Sequence, residues 1–305
     1  MAALDNLLAS GSPNVDDVTV CLQCQIRLAS KADTADLCRI MKESKAASRV
    51  LAWYWASDSQ SRKMIVGSRT LQAHLMKFVA AQGLQHLVAD WLLALLKEND
   101  AGDWITDPSG WQTFGHMLVY FLLAEVNYGN GLGSAIEYYL RVCGELASAP
   151  SPSAKQLRTA GRNLSQWIIE NAQDRTKKIP ATTFDNYIRV TFAATPKSLP
   201  SVAMPIYHPN RPDVRRFVKF TRALPVETYR SWKQKKKDAF QRISIDAMRT
   251  LLGREESQQA ILLAQSVLTL EERLDEASSG TTTASTTTTP MHEEDLLGRL
   301  SSALG

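Results

Sequence analysis

The sequence predicts an all-α fold: stacked helical hairpins, α-solenoid-like, followed by a disordered C-terminal linker. Three observations carry that expectation. Apolar residues recur at three and four along most of the chain, the spacing of one helical face. Glycine (15) and proline (12) are sparse, and most prolines fall between the periodic segments. Two successive segments, 68–98 and 111–147, share one plan, helix, small-residue turn, helix.

Taken in order, residues 15–56 fit one hairpin ending at the aromatic cluster LAWYW. In 68–82, Leu71, Leu75, Phe78 and Val79 form a stripe, Ser68 is a suitable N-cap and Gly83 a break. Residues 84–98 restart the helix with Leu84, Leu87, Val88, Trp91, Leu92 and Leu95 on one face. Residues 111–126 put Trp111, Phe114, Leu118, Phe121 and Leu122 in phase. After NYGNGLG, the 134–147 segment carries Ile136, Tyr139, Leu140, Cys143 and Leu146, with Ser134 as its expected cap. A third pair holds Leu157, Leu164, Trp167 and Ile168, then Phe184, Tyr187 and Ile188 after the Pro180 break. The turn glycines Gly83 and Gly129 or Gly131 are 46–48 residues apart. Such units bury their apolar faces only against neighbours.

The pattern changes at Pro196. The five prolines of TPKSLPSVAMPIYHPNRPD predict an extended connector, followed by helices over 213–223, 226–252 and 256–275. The Thr/Ser tract SSGTTTASTTTTP is too polar to offset the entropy of ordering it. The tail carries Leu296, Leu297, Leu300 and Leu304, an amphipathic pattern suited to docking on a partner. The expected organisation is therefore a hairpin region at 1–195 and a basic helical region at 196–276. A linker at 277–290 and a tail at 291–305 complete it.

No apolar run reaches the ~18–20 residues of a membrane span. The first twenty residues hold three aspartates and no Lys or Arg, unlike a secretory or transit segment. An intracellular, cytoplasmic protein is expected, with a mitochondrial location as the alternative. The four cysteines (Cys21, Cys24, Cys38, Cys143) are too few for a disulfide scaffold. CLQC lacks a second close ligand pair for zinc, so the cysteines read as buried or half-buried helix residues.

The alternating glycines 129, 131 and 133 raise phosphate binding at a helix start. A dinucleotide fingerprint needs G-x-G-x-x-G between a strand and a helix, and here the spacing is one residue short. There is no Gly-Lys-Ser/Thr, HExxH or GxSxG, and His74, His86, His116, His208 and His292 form no set with nearby acids. No catalytic, cofactor-binding or metal-ligating residue is nominated, and no small-molecule substrate is evident.

Charge is more informative. Residues 207–254 hold thirteen Lys/Arg against four Asp/Glu, a local +9 in a chain of net +4. The candidates for nucleic-acid contact are Arg215, Arg216, Lys219, Arg222, Arg230, Lys233, Lys235, Lys236, Lys237 and Arg242, with Trp232. Tyr207, Phe217, Phe220, Tyr229 and Phe240 are interleaved, a combination that suits phosphate contact plus base stacking. The competing reading is a solvated face paired with 255–276, which holds six acids and one Arg.

The stretches LQAHLMKFVAAQGLQHLVADWLL and TFGHMLVYFLLAEVNYGNGLGSAIEYYLRV resemble units of helical-repeat proteins of the tetratricopeptide and pentatricopeptide kind. FDNYIRVTFAATPKSLPSVAMPIYHPNRPD is similar to divergent fungal organellar proteins of that sort. The tetratricopeptide consensus is not satisfied, so no base-reading position carries over. The resemblance implies a non-enzymatic RNA-associated protein, with mitochondrial gene expression as a setting. The alternatives are a protein-interaction scaffold and a nucleocapsid-like RNA-coating protein.

Overall fold

The computed structural model describes residues 2–10, 13–31, 33–97, 108–146, 153–175 and 178–278. They form α-helices joined by short turns and 3-10 turns, and no strand occurs among them. The all-α class read from the sequence is what is observed. No described helix is long and apolar enough to cross a membrane. The chain divides into two compact units, 1–164 with 182–194, and 165–181 with 195–305.

In the first unit, α1 (Ala2–Ala9), α2 (Val15–Ala29), α3 (Thr34–Glu43), α4 (Ala46–Ala56) and α5 (Ser59–Gly67) precede α6 (Arg69–Gln82). The single hairpin expected over 15–56 is three helices. Asp33 restarts the chain by accepting the Asp36 N–H at 2.8 Å, and Lys45, at φ 53°, turns it again before α4. α6 is the central helix, packed on α2, α3, α4 and α8 (Pro108–Tyr128). Its buried residues include Leu71, Leu75, Met76, Phe78 and Val79. Ser68 caps it by accepting the Leu71 N–H at 3.3 Å. Gly83 ends it at φ 74°, a left-handed value that favours glycine. α7 (Gln85–Lys97) and α9 (Leu132–Leu146) pack on α8 and on each other.

α10 (Ser153–Arg175) and α11 (Ala181–Ala194) follow. In the first unit they meet α9 through tyrosines. Tyr187 donates to the Gly161 carbonyl at 3.0 Å, and Tyr139 donates to the Leu157 carbonyl at 3.3 Å. A Cβ at Gly161 would run into the Tyr139 hydroxyl, so this close approach requires glycine.

In the second unit, the middle of the expected extended connector is helical and buried. α12 (Leu199–Ala203) runs into a 3-10 turn over Met204–Tyr207, and every residue from Val202 to His208 is buried. Pro200 and Pro205 sit in first turns, where no intrahelical N–H is needed, so prolines there do not prevent helix. His208 closes the segment: its Nδ1 accepts the N–H groups of Asn210 and Arg211 at 3.2 and 3.0 Å.

α13 (Arg215–Arg222), α14 (Val226–Arg230), α15 (Gln234–Leu252) and α16 (Ser257–Ser278) complete the unit. The continuous helix expected over 226–252 is broken at 231–233. α16 packs on α13, α14 and α15. Phe240, Ile243, Ala247 and Leu251 of α15 and Ala260, Leu263 and Leu270 of α16 are buried. α16 reaches Ser278, two residues into the expected linker. The rest of the Thr/Ser tract and Leu296, Leu297, Leu300 and Leu304 lie outside the described residues.

Candidate nucleic-acid interface

α13 is sharply two-faced. Phe217, Val218 and Thr221 point into the unit, while Arg215, Arg216, Lys219 and Arg222 are exposed. The next two helices bring in Tyr229 and Phe240, both essentially buried. Trp232, in the break between them, turns inward and joins three aromatic neighbours into one cluster. Its ring centroid lies 5.5 Å from Tyr229, 5.8 Å from Phe240 and 6.5 Å from Phe220, the last pair stacked. Phe217 meets Phe240 at 5.6 Å. Tertiary packing of Trp232 thus breaks the helix that its sequence periodicity predicts.

This cluster corrects the base-stacking expectation. Phe217, Tyr229 and Phe240 hold α13, α14 and α15 together and present no open ring. Even half-buried Trp232 is covered, with the Lys236 ammonium 3.7 Å from its ring centroid. Such a cation–π contact contributes on the order of 0.5–1 kcal/mol near a surface. The partial desolvation lowers the Lys236 pKa from the usual lysine value. Lys237 lies 5.6 Å from the Tyr229 ring centroid. Burial, with the neighbouring Glu271 carboxylate second, pushes the Tyr229 hydroxyl up to about 12.

The other candidate cations divide into two groups. Arg215 donates twice to Asp213 at 3.0 Å, which holds the Asp213 carboxyl below the usual range. Arg211, Arg216 and Arg230 also have partners. Lys235 lies 3.7 Å from Glu170 but stays 82% exposed, so screening leaves that pair little strength. Lys219, Arg222, Lys233 and Arg242 are exposed and form no ion pair with a described residue. On the acidic helix, Glu271 accepts from the Gln241 amide at 2.7 Å.

The start of α15 is electrostatically uphill. Lys233 is its N-cap, extended at φ −66° and ψ 151°, with no side-chain acceptor for the first-turn N–H groups. Lys235, Lys236 and Lys237 follow at the positive end of the helix dipole.

Deeper in the unit, Tyr207 donates to Asp246 at 3.0 Å. Burial raises the Asp246 pKa despite that bond and the nearby Arg249 and Arg242. Burial also raises the Tyr207 pKa. Asp246 was not among the expected functional residues, and Tyr207, expected among the stacking aromatics, is buried instead in this pair, which braces the 3-10 segment against α15.

The glycine loop is the turn between α8 and α9, and its donors are already used. Gly129 and Gly131 N–H groups reach the Glu125 carbonyl, both at 3.1 Å, and the Asn130 N–H reaches Glu125 Oε1 at 3.0 Å. Glu125 is fully buried, so the loop holds the chain's own carboxylate. Gly131 has φ 94°, and a Cβ on Gly129 would strike the Glu125 carboxylate. Leu132 already opens α9, which places Ser134 inside the helix and corrects its expected capping role.

Among the cysteines, Cys24 is exposed and the other three half-buried. Burial is the largest cause raising the Cys21 pKa, and it takes Cys143 to about 11, well away from a reactive thiolate. No group of three or more His, Cys, Asp or Glu among the described residues is placed to hold a metal. His116 is half-buried, and burial lowers its pKa. Comparison of the chain with protein-family models, curated proteins and solved structures returns no match.

Proposed function

We propose that the protein is a non-enzymatic binding protein whose second unit meets the phosphate backbone of RNA through α13 and the start of α15. One observation carries the reading. Lys219, Arg222, Lys233 and Lys236 sit on helices joined by one aromatic cluster, and none of them forms an ion pair with a described carboxylate. Clustered exposed cations on a preordered frame raise the local potential and attract a polyanion. The test is RNA binding by the full chain at several salt concentrations. Reversing Lys233, Lys235, Lys236 and Lys237 to Glu abolishes salt-dependent binding if the reading is right; retention of the parent affinity refutes it. Large RNA-containing particles in a sizing experiment would point to the coating mode.

A protein-interaction scaffold is the second reading, with the first-unit hairpins as an imperfect repeat stack. It is favoured by Val20, Cys24 and Leu28, which repeat at four-residue spacing along α2. Val20 is 54% and Leu28 66% exposed. A Val20→Glu/Leu28→Glu variant should lose partners in a pull-down, and an unchanged partner set counts against this role.

A further inference from the structure

The proposed basic face lacks the feature that single-stranded recognition most often uses. Single strands are held by bases stacked on exposed aromatic rings. Here the rings sit under the cations. Phe217 and Phe240 are fully buried, Tyr229 is 1% exposed, and Trp232 is packed against Phe220 with Lys236 over its ring. The cluster therefore fixes where the cations stand, and of its rings only Phe220 and Trp232, stacked on each other, are half-buried rather than buried. A flexible strand gains little there to offset its ordering entropy. A double helix presents its phosphates already ordered and at higher charge density, and it releases more counterions per contact. From this placement of aromatics beneath cations, we infer that the α13–α15 face is a backbone reader for double-helical RNA. The inference rests on the RNA-binding reading above and names the ligand class for the same surface.

The test uses the full chain with a 20-bp RNA duplex and with the single-stranded 20-mer of one of its strands. Binding is measured by fluorescence anisotropy between 50 and 200 mM salt. The duplex should bind at least tenfold more tightly than the strand. With about five engaged cations its affinity should fall roughly 10²–10³-fold across that range. Trp232→Leu should change both arms by the same small factor. Trp232→Phe, which keeps a ring in the cluster, serves as the variant that preserves folding. Equal or tighter binding of the single strand overturns the inference and leaves the RNA reading standing. So does a loss of roughly 5- to 150-fold confined to the single strand in Trp232→Leu, the size of one lost stacked base. Absence of salt-dependent binding to either probe overturns both.

Discussion

Lys233→Asp should strengthen the fold and weaken RNA binding in the same molecule. Lys233 occupies the N-cap of α15 with φ −66° and ψ 151° and supplies no side-chain acceptor, only its carbonyl, to the first turn. Two other helices of this chain begin with nearly the same backbone and an aspartate. Asp33 has φ −67° and ψ 171° and accepts the Asp36 N–H at 2.8 Å. Asp58 has φ −68° and ψ 168° and accepts the Ser61 N–H at 2.8 Å. An aspartate at 233 would offer its carboxylate to the Lys236 N–H, which in the parent donates to the Lys233 carbonyl at 2.9 Å. A gained cap contributes ~1 kcal/mol, and exchanging a cation for an anion at the helix start adds about 0.3–1 kcal/mol. The sum, ~1.5 kcal/mol, corresponds to a Tm increase of about 3–6 °C for a protein of this size. In RNA titrations the same change removes one cation from the face and adds an anion. The salt slope should fall by about one and the affinity several-fold. Lys233→Ser separates the two effects, since it supplies the cap while removing only one charge. An unchanged or lower Tm for Lys233→Asp refutes the capping argument. A raised Tm with an unchanged RNA salt slope refutes the placement of RNA on this face.

Gly129→Ala should destabilise the first unit by ~2 kcal/mol, because its methyl displaces the Glu125 carboxylate from the Asn130 N–H. In a Glu125→Ala background that cost should shrink, and a double-mutant cycle in urea with no coupling would show the loop is held another way. Gly83→Ala, where a Cβ meets nothing but φ is 74°, should cost only ~1 kcal/mol, and Gly83→Asn less. Equal unfolding midpoints for all three chains would remove the conformational argument. Asp246 has its folded pKa raised from 3.8, so its contribution to stability is full below that unfolded value and is lost as pH rises through the folded value. Asp246→Asn should therefore be at its most favourable at pH 7 relative to the parent. Its advantage should shrink as pH falls toward the carboxylate range, and a pH-independent difference in urea midpoints contradicts the burial assignment.

The parts of the fold that were legible in the sequence are those fixed locally. Ser68 and Gly83 bound α6 by a cap bond and a left-handed φ, both properties of a few consecutive residues. The apolar phases of α6, α8 and α9 likewise report the face each helix buries. What escaped depends on distant partners. Nothing in 226–252 signals a break, because Trp232 leaves the helix to join Phe220, a partner twelve positions earlier. The proline-rich 196–213 stretch reads as extended until Pro200 and Pro205 are seen in first turns, with the segment packed inside the second unit. The basic candidates were legible as a charge excess. Their partners, Asp213 for Arg215 and Glu170 for Lys235, were not, since proximity decides which cations remain available.

The aromatics show how one pattern supports two opposite functional readings. Lysines interleaved with Phe, Tyr and Trp suit a stacking surface if all the side chains face solvent, and a packed helix if they alternate in and out. Helical geometry decides, because a residue and its neighbours at three and four share a face while intervening residues do not. Phe217 and Thr221 lie four apart and are both buried, while Arg215, Lys219 and Arg222 fall on the opposite side. The aromatic content therefore contributes packing, ~1.5–3 kcal/mol for a fully buried ring such as Phe240, and sets the spacing of the cations above it. That arrangement carries a local conflict at α15, where a chain that caps α3, α5 and α6 with Asp or Ser places Lys233 instead. Departures from local rules of this kind concentrate where function constrains the chain. An anionic ligand at this face would relieve the conflict, so the cost to the free protein and the affinity for RNA should rise and fall together across substitutions at 233–237.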